Sequence, residues 1–289
     1  MKPGGKPPSG SSAKSVPTAG RPGFPVRLKE EGAYRQYAIK NIAGGAHSLG
    51  AAGINHAKIG LQKLVPSGLG LDSHAVRARM VQKLAAQGVS NAQVLAAMGR
   101  VERHRFVDSA LVNQAYEDTS LPIGLGQTIS KPNVVARMLE LLFAQRAGLE
   151  GHADKPGRVL EIGTGCGYQA ALLAQLAGEV YSIERLRGLH DKARENLRPF
   201  RLANLHLLFG DGMAGYARGA PYVAIIAAAG GEALPQAWID QLAVGGRLVA
   251  PLQAVNGVQA LAVVDKTTQG VRQTLLEAVH FVPLKSGTN

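Results

Sequence analysis

Apolar side chains follow two different spacings along the chain. Before residue 150 they recur at helical intervals, which predicts helices that begin near Ser73, Asn91 and Pro132. From residue 158 onward, short continuous apolar runs alternate with helical segments, and runs of this length favour buried strands. The spacing therefore predicts a helical first part and an alternating strand–helix second part.

The alternating part predicts the fold class. The expected strands cover 158–162, 179–184, 205–210, 222–229 and 246–252. Helices are expected at 168–177, 186–200 and 235–242. Two further apolar runs, at 259–266 and 274–282, have no helix between them and favour an antiparallel end to the sheet. Repeated strand–helix alternation is typical of a doubly wound α/β domain with a mostly parallel sheet.

The helical first part contains one long irregular stretch. The apolar positions expected to be buried in its first and third helices are Val76, Met80, Val81, Leu84, Val134, Met138, Leu141 and Leu142. Ser90 is the candidate N-cap of the second helix, at 91–98. Residues 100–131 show little periodicity but keep many apolar side chains, and such a segment inside a compact domain is usually functional.

The composition of the first 73 residues differs from that of the rest. The first 25 residues alone contain five Gly, six Pro and four Ser, too little apolar surface to offset the entropy of ordering. We therefore expect a largely disordered basic extension at 1–73 and one folded domain at 74–289. Within that domain, 74–150 is the expected helical substrate region and 151–289 the expected cofactor-binding sheet.

Charge and cysteine content narrow the class of protein. The formal net charge is +12, and the first 75 residues hold ten Lys or Arg against three Asp or Glu. The excess thus lies mainly on the extension, either as a basic segment without a specific role or as a nucleic-acid-binding arm. One Cys in 289 residues excludes a disulfide scaffold and fits the cytoplasm, and no apolar run reaches the roughly 20 residues of a spanning helix.

A glycine-rich turn follows the first expected strand of the sheet. Gly163, Gly165 and Gly167 form a G-x-G-x-G pattern, which lets a ligand approach the backbone closely. The pattern departs from the dinucleotide fingerprint G-x-G-x-x-G, and Glu161 precedes it by two positions. A carboxylate there repels a pyrophosphate but attracts a cation, which favours S-adenosylmethionine. Thr164 belongs to the same predicted cofactor loop.

Two more acidic residues follow the next strands. Glu184 ends the second strand, where a carboxylate can accept both ribose hydroxyls. Asp211 and Gly212 follow the third strand, where a carboxylate can accept an adenine amino proton. Carboxylates at three successive strand ends predict one concave site at the switch point of the sheet. The alternative is that each is an ordinary loop residue.

Several separated stretches resemble the protein-L-isoaspartate O-methyltransferase family. They cover 100–107, 116–132, 159–174, 210–212, 241–252 and 281–287, and the resemblance spans about 76–287. It implies a Rossmann-like methyltransferase fold with S-adenosylmethionine as donor and S-adenosylhomocysteine as product. The implied acceptor is the free α-carboxylate of L-isoaspartyl, and of D-aspartyl, residues in damaged proteins and peptides. A cytoplasmic, monomeric repair enzyme is the resulting expectation, without a membrane or nucleic-acid partner.

The resemblance also implies the residues of the substrate side. Ser130 matches the active-site serine of the family, and Gln127, Thr128 and Ile129 are expected to contact substrate beside it. A carboxylate acceptor is already ionised near pH 7, so orientation matters more than a general base. The alternative for Ser130 is a helix N-cap for the helix that begins near Pro132.

Two departures from the family pattern keep other functions open. Val223 stands where the family usually has Asp, and residues 228–232 replace its usual Thr-Ala-Ala-Pro-Pro. The departures leave open a catalytically weakened cofactor-binding homologue, and the net charge of +12 leaves open a nucleic-acid methyltransferase. The eight His show no metal-ligand spacing, so no metal site is expected.

Overall fold

The computed structural model describes Met1 and residues 74–144, 157–254 and 257–289. The expected extension at 1–73, apart from Met1, and the expected division at 150 lie outside these residues. All the elements below belong to one compact unit of the chain, Gln62–Asn289.

Three helices precede the main sheet: α1 His74–Ala86, α2 Ala92–Arg100 and α3 Pro132–Phe143. The buried side of α1 consists of Arg77, Met80 and Leu84, whereas Val76 and Val81 are only half-buried. Arg77 is tolerated there because its Nε donates to the carbonyl oxygen of Gly99 at 2.6 Å. Of the four apolar residues of α1 that were expected to be buried, only Met80 and Leu84 are therefore fully buried.

The buried side of α3 also differs from the predicted stripe. Met138 and Leu142 are buried as expected, but Val134 and Leu141 are only half-buried, and Val135 and Leu139 lie in the core. Apolar residues occupy more than one side of α3. Their spacing alone therefore did not identify which side packs against the core.

The expected N-cap of α2 is wrong by one residue. Asn91 caps the helix, because its Oδ1 accepts from the backbone nitrogens of Gln93 and Val94. Ser90 instead donates from its backbone nitrogen and hydroxyl to Glu140 Oε1, at 2.6 and 2.9 Å. Although burial alone would raise the pKa of Glu140, hydrogen bonds from Ser90 and Asn91 hold it below its usual range. Ser90 therefore ties α2 to α3.

The main sheet has seven strands in the order β5-β4-β3-β6-β7-β8-β9. They are β3 Arg158–Ile162, β4 Glu179–Glu184, β5 Leu205–Phe209, β6 Tyr222–Ala227, β7 Leu242–Gln253, β8 Gln259–Thr267 and β9 Gly270–Ala278. The first five of these strands pair in parallel, and β8 and β9 add antiparallel to β7. The expected doubly wound, mostly parallel α/β sheet with an antiparallel end is confirmed.

The last strand lies four residues earlier than predicted. A two-residue turn after Thr267 pairs that residue with Gly270, and this tight hairpin fixes where β9 begins. Exposed polar residues such as Arg272 and Gln273 belong to β9, so an apolar run could not reveal its start. Residues 279–282 follow the strand, and the nitrogen of Val279 still donates to the carbonyl oxygen of Gln259 at 2.8 Å.

Helices cover both faces of the sheet. The remaining helices are α4 Tyr168–Leu176, α5 Arg187–Leu197 and α6 Gln236–Gln241. Alternate strand residues separate two apolar clusters: Val159 packs with α3, α4 and α5, whereas Leu160 packs with Trp238 of α6. No described helix is both long enough and apolar enough to span a bilayer.

A small hairpin outside the main sheet was not predicted. Strands β1 Leu121–Gly124 and β2 Gln127–Ile129 pair antiparallel within the irregular stretch. Its tip, Gly124, Leu125 and Gly126, has three consecutive positive φ angles of 100°, 51° and 69°. These strands are too short for a recognisable alternation of apolar residues.

Candidate active site

The carboxyl ends of the parallel strands open into one cavity of about 250 Å³. Strand β3 lies between β4 and β6, so the cavity is at the point where the strand order reverses. Of the predicted site residues, nine line this cavity: Gln127, Thr128, Ile129, Ser130, Gly163, Thr164, Gly165, Glu184 and Gly212. The other three, Glu161, Gly167 and Asp211, lie beside it rather than on its wall.

The glycine loop is held by the neighbouring strand. The backbone nitrogens of Gly163 and Thr164 both donate to the carbonyl oxygen of Ile183, at 2.8 and 3.1 Å. Gly163 and Gly165 adopt φ of +89° and +56° on the cavity wall, a conformation that favours glycine. These two residues therefore contribute backbone without a side chain of their own to the cavity wall.

Gly167 serves packing between helices instead. It lies at the N-terminus of α4 with φ of +92°, and a Cβ there would come within 2.7 Å of Leu197 Cδ1 on α5. The third glycine of the motif thus lets α4 and α5 approach each other closely.

Glu161 is a fully buried carboxyl group directly behind the loop. Its Oε2 accepts from the hydroxyl of Ser182, while its Oε1 has no hydrogen-bond partner among the described residues. Burial raises the pKa of Glu161 to about 8, although the Ser182 hydroxyl and the nearby Gln169 amide lower it in part. The like charge of Glu184 raises it further. Such a group favours a cation brought into the adjacent cavity.

Glu184 faces the cavity with both oxygens hydrogen-bonded to backbone. Oε2 accepts from the nitrogen of Gly165 and Oε1 from the nitrogen of Leu186, each at 2.9 Å. The side chain is 5% exposed and marks the end of β4. It therefore links the glycine loop to the start of α5 while keeping a carboxylate on the cavity wall.

Asp211 organises the loop after β5. Its Oδ1 accepts from the nitrogen of Met213 at 2.8 Å, and its Oδ2 accepts from the nitrogen of Gly287 at 2.6 Å. Only its neighbour Gly212 reaches the cavity wall. In this arrangement Asp211 fastens a distant part of the chain to the rim of the site.

That distant part is segment 281–289, which sequence reasoning did not assign to the site. Val282, Pro283, Leu284, Lys285 and Asn289 line the cavity. The segment pairs with Gly230 and Arg185, through bonds of 2.7 to 2.9 Å to their backbone groups. The resemblance at 281–287 was the only signal for it, because the segment carries no acidic or glycine-loop motif.

The β1–β2 hairpin contributes further residues to the cavity wall. Lys192 Nζ of α5 donates to the carbonyl oxygen of Ile123 at 2.8 Å. The methyl end of Ile123 lies so near the loop that a Cβ on Gly165 would be 3.2 Å away. The foot of the hairpin places Ser130 on the cavity wall, where it is half-buried.

The alternative role of Ser130 as a helix cap does not hold. Lys131 is the N-cap of α3 and makes no side-chain capping bond. Asp118 Oδ1 accepts from the nitrogen of Asn133 at 2.8 Å and satisfies the helix start instead. The hydroxyl of Ser130 is therefore not engaged in capping.

The remaining sequence features divide between the cavity and its surroundings. Cys166 lines the cavity but is buried, and burial raises the pKa of its thiol to about 11. Of the departures from the family pattern, Ala228 and Ala229 lie on the cavity wall, whereas Val223 does not. Among the described residues no cluster of three His, Cys, Asp or Glu could hold a metal ion.

Residues 75–289 match the family model described as protein-L-isoaspartate(D-aspartate) O-methyltransferase. The protein-L-isoaspartate O-methyltransferase of Methylibium petroleiphilum is 65% identical over 226 residues, which cover 78% of this chain and 82% of the relative. That of Ralstonia nicotianae is 47% identical over 289 residues, covering 97% of this chain and 90% of the relative.

Solved structures show the same fold. A protein-L-isoaspartate O-methyltransferase, 27% identical, superimposes with a TM-score of 0.64 and covers 73% of this chain and 66% of that one. A Plasmodium falciparum structure described as a beta-aspartate methyltransferase in complex with S-adenosyl-L-homocysteine is 24% identical, with a TM-score of 0.63. It covers 72% of this chain and 98% of that one, and at this identity it shows the fold alone.

Proposed function

The chain belongs to the protein-L-isoaspartate(D-aspartate) O-methyltransferase family, and we propose that it methylates damaged proteins and peptides with S-adenosylmethionine. The acceptor is the free carboxylate of the damaged residue, which is the α-carboxylate of an L-isoaspartyl residue and the side-chain β-carboxylate of a D-aspartyl residue. The backbone nitrogen that follows an L-isoaspartyl methyl ester attacks the ester carbonyl and expels methanol, and the succinimide that forms is hydrolysed partly to normal aspartate. The activity is therefore one of protein repair.

One observation carries this proposal. The foot of the hairpin with Ser130 and the glycine loop with Gly163 and Gly165 line the same cavity at the switch point of the sheet. A group held on Ser130 and a cofactor held on the loop therefore meet within one space. This is the arrangement that direct transfer between two bound molecules requires.

The residues of the cavity fit S-adenosylmethionine. The loop glycines place backbone without side chains on the cavity wall, and Glu161 Oε1 accepts no direct hydrogen bond from the described residues, although the Gln169 amide lies nearby. No Lys or Arg among the described residues forms an ion pair with Glu161, so a ligand cation can become its counter-charge. When bound, S-adenosylmethionine supplies an electrophilic methyl group. We propose that Gly163, Gly165 and Glu184 hold it and that Gly167, Asp211 and Gly212 shape its site.

The chain's own residues bind and orient the acceptor. A carboxylate is ionised at neutral pH and needs no base, so the Ser130 hydroxyl acts by donating a hydrogen bond to one carboxylate oxygen. Gln127, Thr128 and Ile129 hold the peptide around it. The hairpin and segment 281–289 both line the cavity, and a bound acceptor between them is shielded in part from water.

The proposal includes the setting in which the enzyme acts. We propose a cytoplasmic monomer whose partners are isoaspartyl-containing proteins rather than nucleic acids. Sedimentation of the full chain at micromolar concentration tests the monomer, with a dimer as the contradicting result.

Methyl transfer from labelled S-adenosylmethionine tests the activity. The acceptors are an L-isoaspartyl peptide, its D-aspartyl and L-aspartyl twins, and RNA. We expect label on the first two peptides and none on the L-aspartyl twin or RNA. Label on RNA but not on the isoaspartyl peptide would overturn the proposal. Cofactor binding without any transfer would instead favour a non-catalytic homologue, in line with Ala228 and Ala229 on the cavity wall.

A further inference from the structure

A buried serine connects Glu161 to the cavity wall. Ser182, on β4, is fully buried, and its hydroxyl donates to Glu161 Oε2. The same hydroxyl lies 2.6 Å from the hydroxyl of Thr164. Thr164 lines the cavity, whereas Glu161 and Ser182 do not. The three side chains thus form a hydrogen-bonded series from a carboxyl group outside the cavity to the side chain of a residue that lines it.

The carboxyl group at one end of this series of three side chains determines which hydroxyl donates each hydrogen bond. Each hydroxyl has a single proton. When Glu161 is ionised, the Ser182 hydroxyl must donate its hydrogen bond to the carboxylate. The Ser182 oxygen can then only accept a hydrogen bond from Thr164. The proton of Thr164 is then directed at Ser182, which does not line the cavity, and the Thr164 oxygen keeps a lone pair that can accept another hydrogen bond.

The bound ligand selects this direction. In the free protein, burial raises the pKa of Glu161 to about 8, and a cation in the cavity favours its ionised form. S-adenosylmethionine carries two cationic groups, a sulfonium and an α-ammonium. The sulfonium has three carbon substituents and no proton to donate, whereas the ammonium has N–H donors. An oxygen that only accepts therefore matches the ammonium group.

We propose that Ser182 is a positioning residue that keeps the Thr164 hydroxyl an acceptor for the α-ammonium group of the cofactor. This inference rests on the proposed function, because it concerns the same cavity. Without the Ser182 hydroxyl, Thr164 is free to turn its proton toward the cavity and against the N–H donors of the ligand. Glu161 also loses its hydrogen-bond donor, which weakens the ionised form that attracts the cation.

Calorimetric titration of the full-length protein with two ligands separates this role from a merely structural one. S-adenosylhomocysteine keeps the ammonium group, whereas 5′-methylthioadenosine shares its adenosine and sulfur but lacks the amino acid part. In Ser182→Ala we expect the affinity for S-adenosylhomocysteine to fall about tenfold or more, the size expected for a charged hydrogen bond. The affinity for 5′-methylthioadenosine should change less than about twofold by the same reasoning.

Matched variants test each hydrogen bond of the series Glu161–Ser182–Thr164. Thr164→Val should reproduce the selective loss, because it keeps the shape and removes the hydroxyl, while Thr164→Ser should retain the affinity. Ser182→Thr should restore most of the loss of Ser182→Ala, because it returns a hydroxyl to the same position. If the added methyl group lowers the melting temperature, the ratio of the two affinities still reports on the chain.

Two outcomes would overturn the inference. They are an unchanged affinity for both ligands in Ser182→Ala and an equal loss of affinity for both. In each case wild-type protein still transfers a methyl group to the isoaspartyl peptide, so the proposed function stands. Failure of the proposed function looks different, because wild-type protein would then transfer no methyl group to that peptide, whether or not it binds S-adenosylhomocysteine.

Discussion

At the scale of single residues, Ser130 is the side chain on which turnover should depend most. We expect Ser130→Ala to lower kcat about ten- to hundredfold, because it removes one hydrogen bond to a charged acceptor. The Kd for S-adenosylhomocysteine should stay within about twofold, since the hydroxyl faces the acceptor side. The measurements are steady-state transfer to an isoaspartyl peptide and calorimetric binding.

Ser120→Ala is the matched control for this prediction. Ser120 is exposed, lies just before the hairpin and does not line the cavity. A loss of cofactor affinity with normal turnover in Ser130→Ala would contradict the role given to Ser130.

The thiol of Cys166 should be slow to alkylate. Burial raises its pKa to about 11, so the thiolate fraction at pH 8 is on the order of a hundredfold below that of an ordinary cysteine. Cys166 is the one cysteine of the chain, which makes incorporation of labelled iodoacetamide easy to assign. We expect slow labelling that S-adenosylhomocysteine slows further, and labelling at the rate of free cysteine would contradict the burial.

Glu161 should make stability depend on pH. Burial raises its pKa to about 8 from 4.5, so the folded protein keeps a proton that the unfolded chain releases. The resulting stabilisation is complete below pH 4.5 and is lost as the pH rises to about 8. Relative to Glu161→Gln, wild type should lose up to a few kcal/mol of unfolding free energy between about pH 5 and 8.

Urea denaturation of both proteins without ligand across this range measures the difference. Glu117→Gln, at an exposed glutamate, is the control and should leave the pH dependence unchanged. A constant difference between wild type and Glu161→Gln would show that Glu161 does not titrate in this range.

At the scale of elements, apolar runs predicted the main sheet because its central strands are buried on both faces. Strands such as β3 and β4 coincide with their predicted ranges, and the glycine loop follows from its motif. The β1–β2 hairpin was missed because its strands have only four and three residues. The start of β9 was missed because its polar residues face solvent on both sides.

The candidate site shows the same division between local and long-range information. The loop, Glu184 and the foot of the hairpin were predicted from motifs and from the resemblance. Neither the chain through Ser182 nor the bond from Gly287 to Asp211 was predicted, because both join residues distant in sequence. Such contacts can be identified only when the order of the strands in the sheet is known.

The close approach of α4 and α5 should depend on Gly167. A Cβ there meets Leu197 Cδ1 at 2.7 Å in addition to the strain of a positive φ. Gly88 has a similar φ of +102° with nothing within 4 Å, so Gly88→Ala carries the strain alone. We expect Gly167→Ala to lower the unfolding free energy by about 1–3 kcal/mol more than Gly88→Ala. Equal effects in urea denaturation would mean that the helices adjust without cost.

At the scale of the whole molecule, the basic excess and the catalytic machinery lie on different parts of the chain. Residues 76–289 hold 22 Lys or Arg against 17 Asp or Glu, so most of the +12 charge belongs to the first 75 residues. The family match begins at residue 75, and the described residues that line the cavity all lie beyond it. We therefore expect charge on the extension to act on how substrates are attracted.

Deletion of residues 1–72 tests this separation. We expect kcat/KM for a short, neutral isoaspartyl peptide to stay within about twofold, because the cavity is unchanged. For an acidic isoaspartyl protein, kcat/KM should fall at low salt and converge with wild type near 0.5 M salt, where charges are screened. A large loss with the neutral peptide would show that the extension takes part in folding or in the site. An unchanged salt dependence would show that its charge does not steer substrates.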